Sequence, residues 1–249
     1  MKKTPKPAIV TIGNFDGVHL GHQKLIHEVA DRARAKGLCS LAVTFEPHPE
    51  QILFPERKLS HLSSSEEKVE ILHASGMDDV WVCPFTTELA RLEPEDFMRM
   101  VVERQPMSEL WVGADFALGR GRRGTISVLS EIGSAMGWGL HMVPPLTLEG
   151  QIVSSTAIRT LLSAGAVRGA ADLLGRPYSV SGEISGDDLI VDPLRALPRA
   201  MVYDAQLRQD NETNDVSVTV LNAPNRIHLE SDVRHHDGPA SIDFLRRAD

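Results

Sequence analysis

Two imidazoles three positions apart, His19 and His22, close the stretch T-I-G-N-F-D-G-V-H-L-G-H at positions 11–22. An apolar segment at 8–12 runs into it and reads as a strand. An amphipathic helix runs out of it, with Leu25, Ile26, Val29 and Ala33 on one face. Gly13, Gly17 and Gly21 let the backbone between them bend sharply and approach a ligand. At a helix start, the three-residue spacing aims both histidines the same way, toward the end of the first strand. Helix N-termini offer free N–H groups and partial positive charge, which suit a phosphate. Two imidazoles add donors that can follow charge developing on that phosphate. The stretch is therefore a candidate site for nucleotide chemistry. Two plainer readings stand beside it: half of a zinc site, with no third ligand nearby and Cys39 and Cys83 far along the chain, or ordinary polar residues at a helix start.

The elements that must position this stretch follow in alternation. The first helix is expected over 20–36, stopped near Gly37, and a buried strand over 39–45. That strand ends in Glu46-Pro47-His48-Pro49, whose prolines forbid a regular continuation and make a rigid loop. A helix over 64–75 has a capping box in Ser64 and Glu67 and a stop at Gly76. A strand follows at 79–83. Pro94, Glu95 and Asp96 open a helix running to about Arg104, burying Phe97, Met100 and Val101, with Met98 and Met100 as core filler. A strand at 109–112 opens into Gly113-Ala114-Asp115-Phe116 and the basic glycine loop A-L-G-R-G-R-R-G at 117–124. Glycine gives that loop backbone access, and arginines give it charge for phosphate; a solvated loop is the plainer reading. After a helix at 126–136 and a strand at 140–143 come Ser154-Ser155-Thr156-Ala157-Ile158-Arg159, hydroxyls at a helix start followed by a cation in the first turn or so. The alternation predicts a mainly parallel sheet covered on both faces, with ligands at the carboxyl ends of its strands. All these segments are then expected along one edge. Neither G-x-G-x-x-G nor G-x-x-x-x-G-K-[ST] occurs, which argues against a hydride-transfer enzyme and a P-loop ATPase.

Composition sets the outer bounds. The 249 residues suffice for one large domain, or a medium domain and a small one. A net charge of −8 argues against non-specific nucleic-acid binding. Both cysteines fall in apolar segments and are expected to be buried free thiols. The basic start M-K-K-T-P-K-P precedes no apolar run of signal-peptide length, and no run is long enough to span a membrane. A cytoplasmic protein with no membrane or nucleic-acid partner is expected, and no oligomer is predicted.

The stretch 13–22 resembles the signature of the nucleotidyltransferase superfamily in the form found in bacterial FAD synthetases, which pair an FMN adenylyltransferase module with a riboflavin kinase module. Four more segments fit in order: Thr44-Phe45-Glu46-Pro47-His48-Pro49; Gly113 to Phe116 through Arg123-Gly124; Ser154 to Arg159; and Leu174-Gly175-Arg176-Pro177-Tyr178. Together they cover about residues 8 to 186. One departure is Leu118, where the family usually has phenylalanine. The resemblance implies a Rossmann-like α/β nucleotidyltransferase domain over 1–178 and a reaction of FMN with ATP that gives FAD and pyrophosphate. It implies ATP contacts from Gly13, Phe15, Gly17 and Gly21, with His19 and His22 on the triphosphate and the developing charge. Asn14 and Asp16 would shape the loop and its substrate or metal contacts. Ser155, Thr156 and Arg159 would hold the β- and γ-phosphates, and Gly113, Asp115 and Phe116 would bound the adenosine. Phe45, Pro47 and His48, with Arg122 or Arg123, would face FMN. Mg²⁺ is expected with the triphosphate, its protein ligands unknown.

After Tyr178 the pattern turns to short strands, at 178–184, 200–207, 216–221, 227–230 and 241–245, separated by polar turns that include 209–215. This predicts a small antiparallel β-barrel-like domain over 179–249, the counterpart of the riboflavin kinase barrel. Its chemistry does not carry over. Where the family has Pro-Thr-Ala-Asn, this chain reads Asp187-Asp188-Leu189-Ile190-Val191-Asp192-Pro193-Leu194. The family's glutamate base has no clear equivalent near Asn225 and Arg226, and its closing helix is absent. The expectation is a degenerate barrel without kinase activity. A non-catalytic flavin or nucleotide sensor, and a nucleotidyltransferase with another acceptor, stay open at this level.

Overall fold

Ala8–Ile12 (β1) is fully withdrawn from solvent and forms the middle of a parallel sheet. The other strands are Cys39–Glu46 (β2), Asp79–Pro84 (β3), Met107–Gly113 (β4) and Gly139–Val143 (β5), and the order across the sheet is β3-β2-β1-β4-β5. Every pairing is parallel, with Ile12 beside Val43 and Thr11 beside Trp111. The computed structural model describes residues 6–57, 59–221, 225–230 and 235–248. The basic start read above falls mostly at positions 1–5, outside the described residues.

Helices cover both faces. Leu20–Lys36 (α1) and Ser65–Ala74 (α3) lie on one, separated in sequence by the short helix Pro49–Leu53 (α2). Their core unites Ile9, Leu25, Ile26, Val29, Ala33 and Leu72. Pro94–Arg104 (α4) and Ile126–Met136 (α5) lie on the other, packing Phe97, Met98, Val101, Leu129 and Ile132 against Val10, Ile12, Val43 and Leu110. β1 alternates between the two cores residue by residue, as a strand buried on both faces must. Glycine ends α1 as expected: Gly37 takes a left-handed conformation and its N–H donates to the carbonyls of Ala33 and Arg34.

By contacts the chain divides into two compact units, Met1–Leu59 with Ser65–Leu146, and Ser60–Ser64 with Thr147–Asp249. The second unit opens with a two-stranded hairpin, Thr147–Leu148 (β6) and Gln151–Ile152 (β7). Helices Ser155–Ser163 (α6) and Val167–Leu174 (α7) follow. Its body is a closed antiparallel barrel of Tyr178–Ser185 (β8), Asp188–Val191 (β9), Val202–Gln209 (β10), Glu212–Leu221 (β11), Arg226–Leu229 (β12) and Gly238–Arg247 (β13). The order around it is β10-β11-β12-β9-β8-β13, closed by β13 on β10. The segment Ser60–Ser64 reaches this unit through His61, whose N–H donates to the Leu194 carbonyl (2.6 Å) and whose carbonyl accepts from Ala196 N–H (2.8 Å).

Three expectations need correction. Cys39, the first residue of β2, is exposed, while Cys83 is buried; the strand starts outside the core, and burial begins at Ser40. The polar run at 209–215 is not a loop. Asp210 and Asn211 alone turn, both at positive φ (49° and 68°), and Gln209 pairs with Glu212. Two consecutive left-handed residues make the tight hairpin that matches strand twist, and Asp-Asn tolerates it. The segment at 187–194, where no strand was expected, contains a barrel strand with Leu189 and Val191 turned inward. Among the described residues no helix is long and apolar enough to cross a membrane.

Candidate active site

Beyond Ile12 the sheet pattern persists for one bond, Gly13 N–H to the Val43 carbonyl (3.0 Å), and then the chain folds tightly. Phe15 (φ 49°), Gly17 (φ 74°) and Val18 (φ 37°) all take positive φ. For a β-branched residue such as Val18 this is a strained conformation, of the kind that surrounding structure sustains at functional sites, at about 1–3 kcal/mol each. A Cβ on Gly13 would meet the Phe15 ring at 3.1–3.3 Å, so glycine is what lets that ring lie over the strand end. Phe15 is fully buried and presents its ring edge-on to His22, with centroids 5.2 Å apart and planes at 78°. Thr44 Oγ1 donates to the Asn14 carbonyl (3.1 Å) and Gln23 Nε2 to the Val18 carbonyl (2.9 Å), pinning the turn at both ends.

His19 is the N-cap of α1. Its Nδ1 accepts the backbone N–H of His22 at 3.3 Å, so Nδ1 is bare and any proton of a neutral ring sits on Nε2. The two imidazoles lie stacked, centroids 3.7 Å apart and planes within 17°. Burial first, and the neighbouring His19 second, push the His22 pKa well below its ordinary value of 6.5. His22 is therefore a neutral imidazole at pH 7. Its Nδ1 is shut away from water and meets no hydrogen-bond partner among the described residues. Asp16 is buried within the turn.

The carboxyl end of β2 lies one strand away. Phe45 is buried, edge-on to Phe85 (5.5 Å) and tilted against Phe97 (6.1 Å). Glu46–Pro47 is a cis bond. His48, also buried, caps α2 with Nδ1 accepting Glu50 N–H (3.2 Å). Beyond β4, Phe116 N–H returns to the Gly113 carbonyl (3.2 Å), leaving Asp115 exposed at the turn. Leu118, where an aromatic was expected from the resemblance, is buried in the core beside α4 and α5. It pairs with Gly124 through two backbone bonds and so closes the basic loop. Within that loop Arg122 Nη2 donates to the Asp115 carbonyl (2.9 Å), and Arg123 lies 3.5 Å from Glu93. Three of the expected segments thus leave adjacent strands of one sheet at their carboxyl ends. The fourth belongs to the second unit: Ser154 caps α6 by accepting Ala157 N–H (3.2 Å), Ser155 and Thr156 stand in its first turn, and Arg159 Nε donates to the Ser60 carbonyl (2.7 Å).

Two charged residues escaped the sequence reading. Lys68, in the first turns of α3, has only 6% of its surface exposed, and its Nζ donates to the Phe45 carbonyl (3.2 Å). Burial lowers its pKa, and the charges of Glu46, Asp16 and Glu66 oppose that fall. The signal was its position four residues before the fully buried Leu72, on the same helix face. Glu109, near the start of β4, accepts from Arg32, Lys36 and Trp111 Nε1, with His141 at 3.5 Å. It stands at the opposite end of the strand from Gly113 and anchors α1 to the sheet.

Fold and site together define an α/β nucleotide-binding module of the H-x-G-H kind, followed by an antiparallel barrel. Residues 1–157 match the sequence model of the FAD synthetase family, and the chain belongs to that family. It is 32% identical over 183 residues to a bifunctional riboflavin kinase/FMN adenylyltransferase of Escherichia coli, covering 73% of this chain and 58% of that one. A protein of the same description from Listeria monocytogenes is 30% identical over 219 residues, covering 83% and 69%. The chain spans about three fifths of the length of the first curated relatives it matches. A crystal structure described as a macrolide-efflux protein from Streptococcus pneumoniae superposes with a TM-score of 0.87 over 98% of this chain and 86% of that one. At 23% identity that likeness concerns the fold alone.

Proposed function

We propose that this chain is an FMN adenylyltransferase, joining FMN to ATP to give FAD and pyrophosphate. A phosphate oxygen of FMN attacks the α-phosphorus of ATP, the bond from that phosphorus to the bridging oxygen of the β-phosphate breaks, and pyrophosphate leaves with its electron pair. No covalent enzyme intermediate is required, so the protein's share is alignment and charge stabilisation. The observation that carries the reading is the neutral His22 stacked on His19 and braced by Phe15, at the end of β1, beside the strained turn. A neutral ring held in place adds a donor to the triphosphate without adding a full charge to the ground state. The turn of Gly13, Asn14, Asp16 and Gly17, with Gly21 at the start of α1, would lie along the nucleotide. Gly113, Asp115 and Phe116 would bound the adenosine. The exit of β2, with Pro47 and His48, and Arg122 or Arg123 would face FMN. Ser155, Thr156 and Arg159 are taken as phosphate ligands on the resemblance of their sequence.

Mg²⁺ fits as a companion of the triphosphate rather than a resident of a protein cage. Among the described residues no three His, Cys, Asp or Glu side chains gather as a metal site, and Mg²⁺ is commonly held by one or two carboxylates plus phosphates. Asp16 is the carboxylate the turn supplies. When bound, the ion would neutralise charge on the triphosphate.

The barrel is proposed to lack riboflavin kinase activity. In support, the segment at 187–194 is occupied by a wall strand and lacks the threonine and asparagine that would hold phosphate and metal. One experiment tests both parts: purified protein with ATP and Mg²⁺, offered FMN or riboflavin in separate tubes, with FAD, FMN and pyrophosphate quantified. FAD from FMN and no product from riboflavin is expected. FMN formed from riboflavin would overturn the reading of the barrel. Flavin binding without pyrophosphate release would favour a sensor.

A further inference from the structure

We infer that Lys68 is a positioning residue for adenylyl transfer, fixing the exit of β2 and the Asp16 turn in register with each other. The inference rests on the proposed activity and adds to it a residue outside every motif of the sequence.

A buried ammonium is costly unless charge and hydrogen bonds compensate it. A methionine or leucine at position 68 would share the buried face of α3 with Leu72 at no such cost. The lysine instead places its head group where two chain segments meet. Its Nζ donates to the carbonyl of Phe45, the last core residue before Glu46-Pro47-His48. Its charge is favoured first by Glu46 and then by Asp16, which lies buried in the turn before His19, and by Glu66. α3 packs against that same turn. Lys68 thus holds the strand exit proposed for FMN from a helix that packs on the turn proposed for ATP. In-line attack needs the two reactants held in a fixed relation, and small displacements are costly in rate.

The test uses Lys68→Met, which keeps the apolar stem and removes the charge, and Lys68→Gln, which keeps a donor. Initial rates against FMN and against ATP are measured below each variant's melting transition. FMN affinity is measured separately by quenching of flavin fluorescence with a non-hydrolysable ATP analogue present. Lys68→Met is expected to lose about tenfold or more in kcat/KM for FMN, the loss exceeding any fall in folded fraction, with Lys68→Gln between it and the parent. A purely structural lysine would lower the melting temperature and leave both kcat/KM values within about twofold, and that result overturns the inference. If Lys68→Met does not fold, Lys68→Gln is judged by the same criterion. If the parent binds FMN but makes no FAD, the proposed activity fails, and the affinity comparison alone decides for Lys68: an unchanged affinity rejects it, a weakened one keeps it as a positioner of flavin. No FMN binding by the parent rejects both.

Discussion

Replacing Glu109 by glutamine would separate stability from chemistry in this molecule. The Glu109 side chain is 5% exposed and accepts from Arg32 Nε at 3.0 Å, Arg32 Nη2 at 2.8 Å, Lys36 Nζ at 2.5 Å and Trp111 Nε1 at 2.9 Å. Arg32 leads the causes that hold its carboxyl well below the usual 4.5, at about 2. At about 1.36 kcal/mol per pKa unit, that difference is worth about 3 kcal/mol at neutral pH. Arg32 and Lys36 stay partly in solvent, so screening reduces this to about 2 kcal/mol. A glutamine cannot serve as a charged acceptor, and its NH₂ would face donors. The expected fall in melting temperature is about 4–8 °C, at about 2–4 °C per kcal/mol for a chain of this size. Because the folded pKa lies below the unfolded one, the contribution is complete above about pH 4.5 and is lost as pH falls toward 2. The assay is a pair of thermal melts, parent against Glu109→Gln, at pH 7 and pH 3. The gap should narrow to roughly half at pH 3. Below the transition the variant should turn over normally, since Glu109 lies about 13 Å along β4 from Gly113 at strand rise. An equal gap at both pH values, or none at either, would refute the argument.

Other substitutions probe other links. His22→Ala should cut turnover about 100-fold or more while moving the melting temperature little; a variant that unfolds would remove the histidine from the chemistry. The acid limb of kcat/KM that belongs to His22 should lie well below pH 6.5, because the ring stays neutral until then; a limb at 6.5 or above would contradict that. Gly182→Ala places a Cβ 2.3 Å from the Ile190 carbonyl oxygen, and should cost about 1–3 kcal/mol by forcing β8 from β9, read as a lowered melt. A thiol reagent should label Cys39 in the native protein and reach Cys83 only after denaturant, as mass spectrometry of the labelled peptides would show.

How far the sequence was legible depended on where each residue's partner lay. α1 and α4 begin and end where their caps and proline put them, because those signals are local. The parallel sheet followed from alternation, and β1 from a run that is apolar except at Thr11. The barrel strand β9 was hidden because Asp187 before it, Asp188 at its start and the outward Ile190 resemble a loop, and its pairing with β12 is long-range. The polar half of β11 was hidden because its composition resembles a loop, and only its hairpin partner β10 makes it a strand. Lys68 and Glu109 were invisible as core residues because a charge in an amphipathic pattern reads as surface until its partners are known. The H-x-G-H turn was legible as a motif, but its left-handed Phe15 and Val18 and the stacking of its imidazoles were not.

The excursion of Ser60–Ser64 has a consequence for how such a chain can change over time. The second unit is discontinuous in the gene: His61 belongs with Leu194 and Ala196, and Ser60 with Arg159. A stop codon after position 146 would strip partners from the backbone groups of His61 and the carbonyl of Ser60, leaving an early stretch of polypeptide with polar groups built for a neighbour never translated. Point substitutions can erase a reaction from the barrel one residue at a time, whereas deletion damages the remainder at once. A fold threaded in this way holds on to a domain whatever chemistry that domain performs, because the retained half was written with a few of the other's residues inside it.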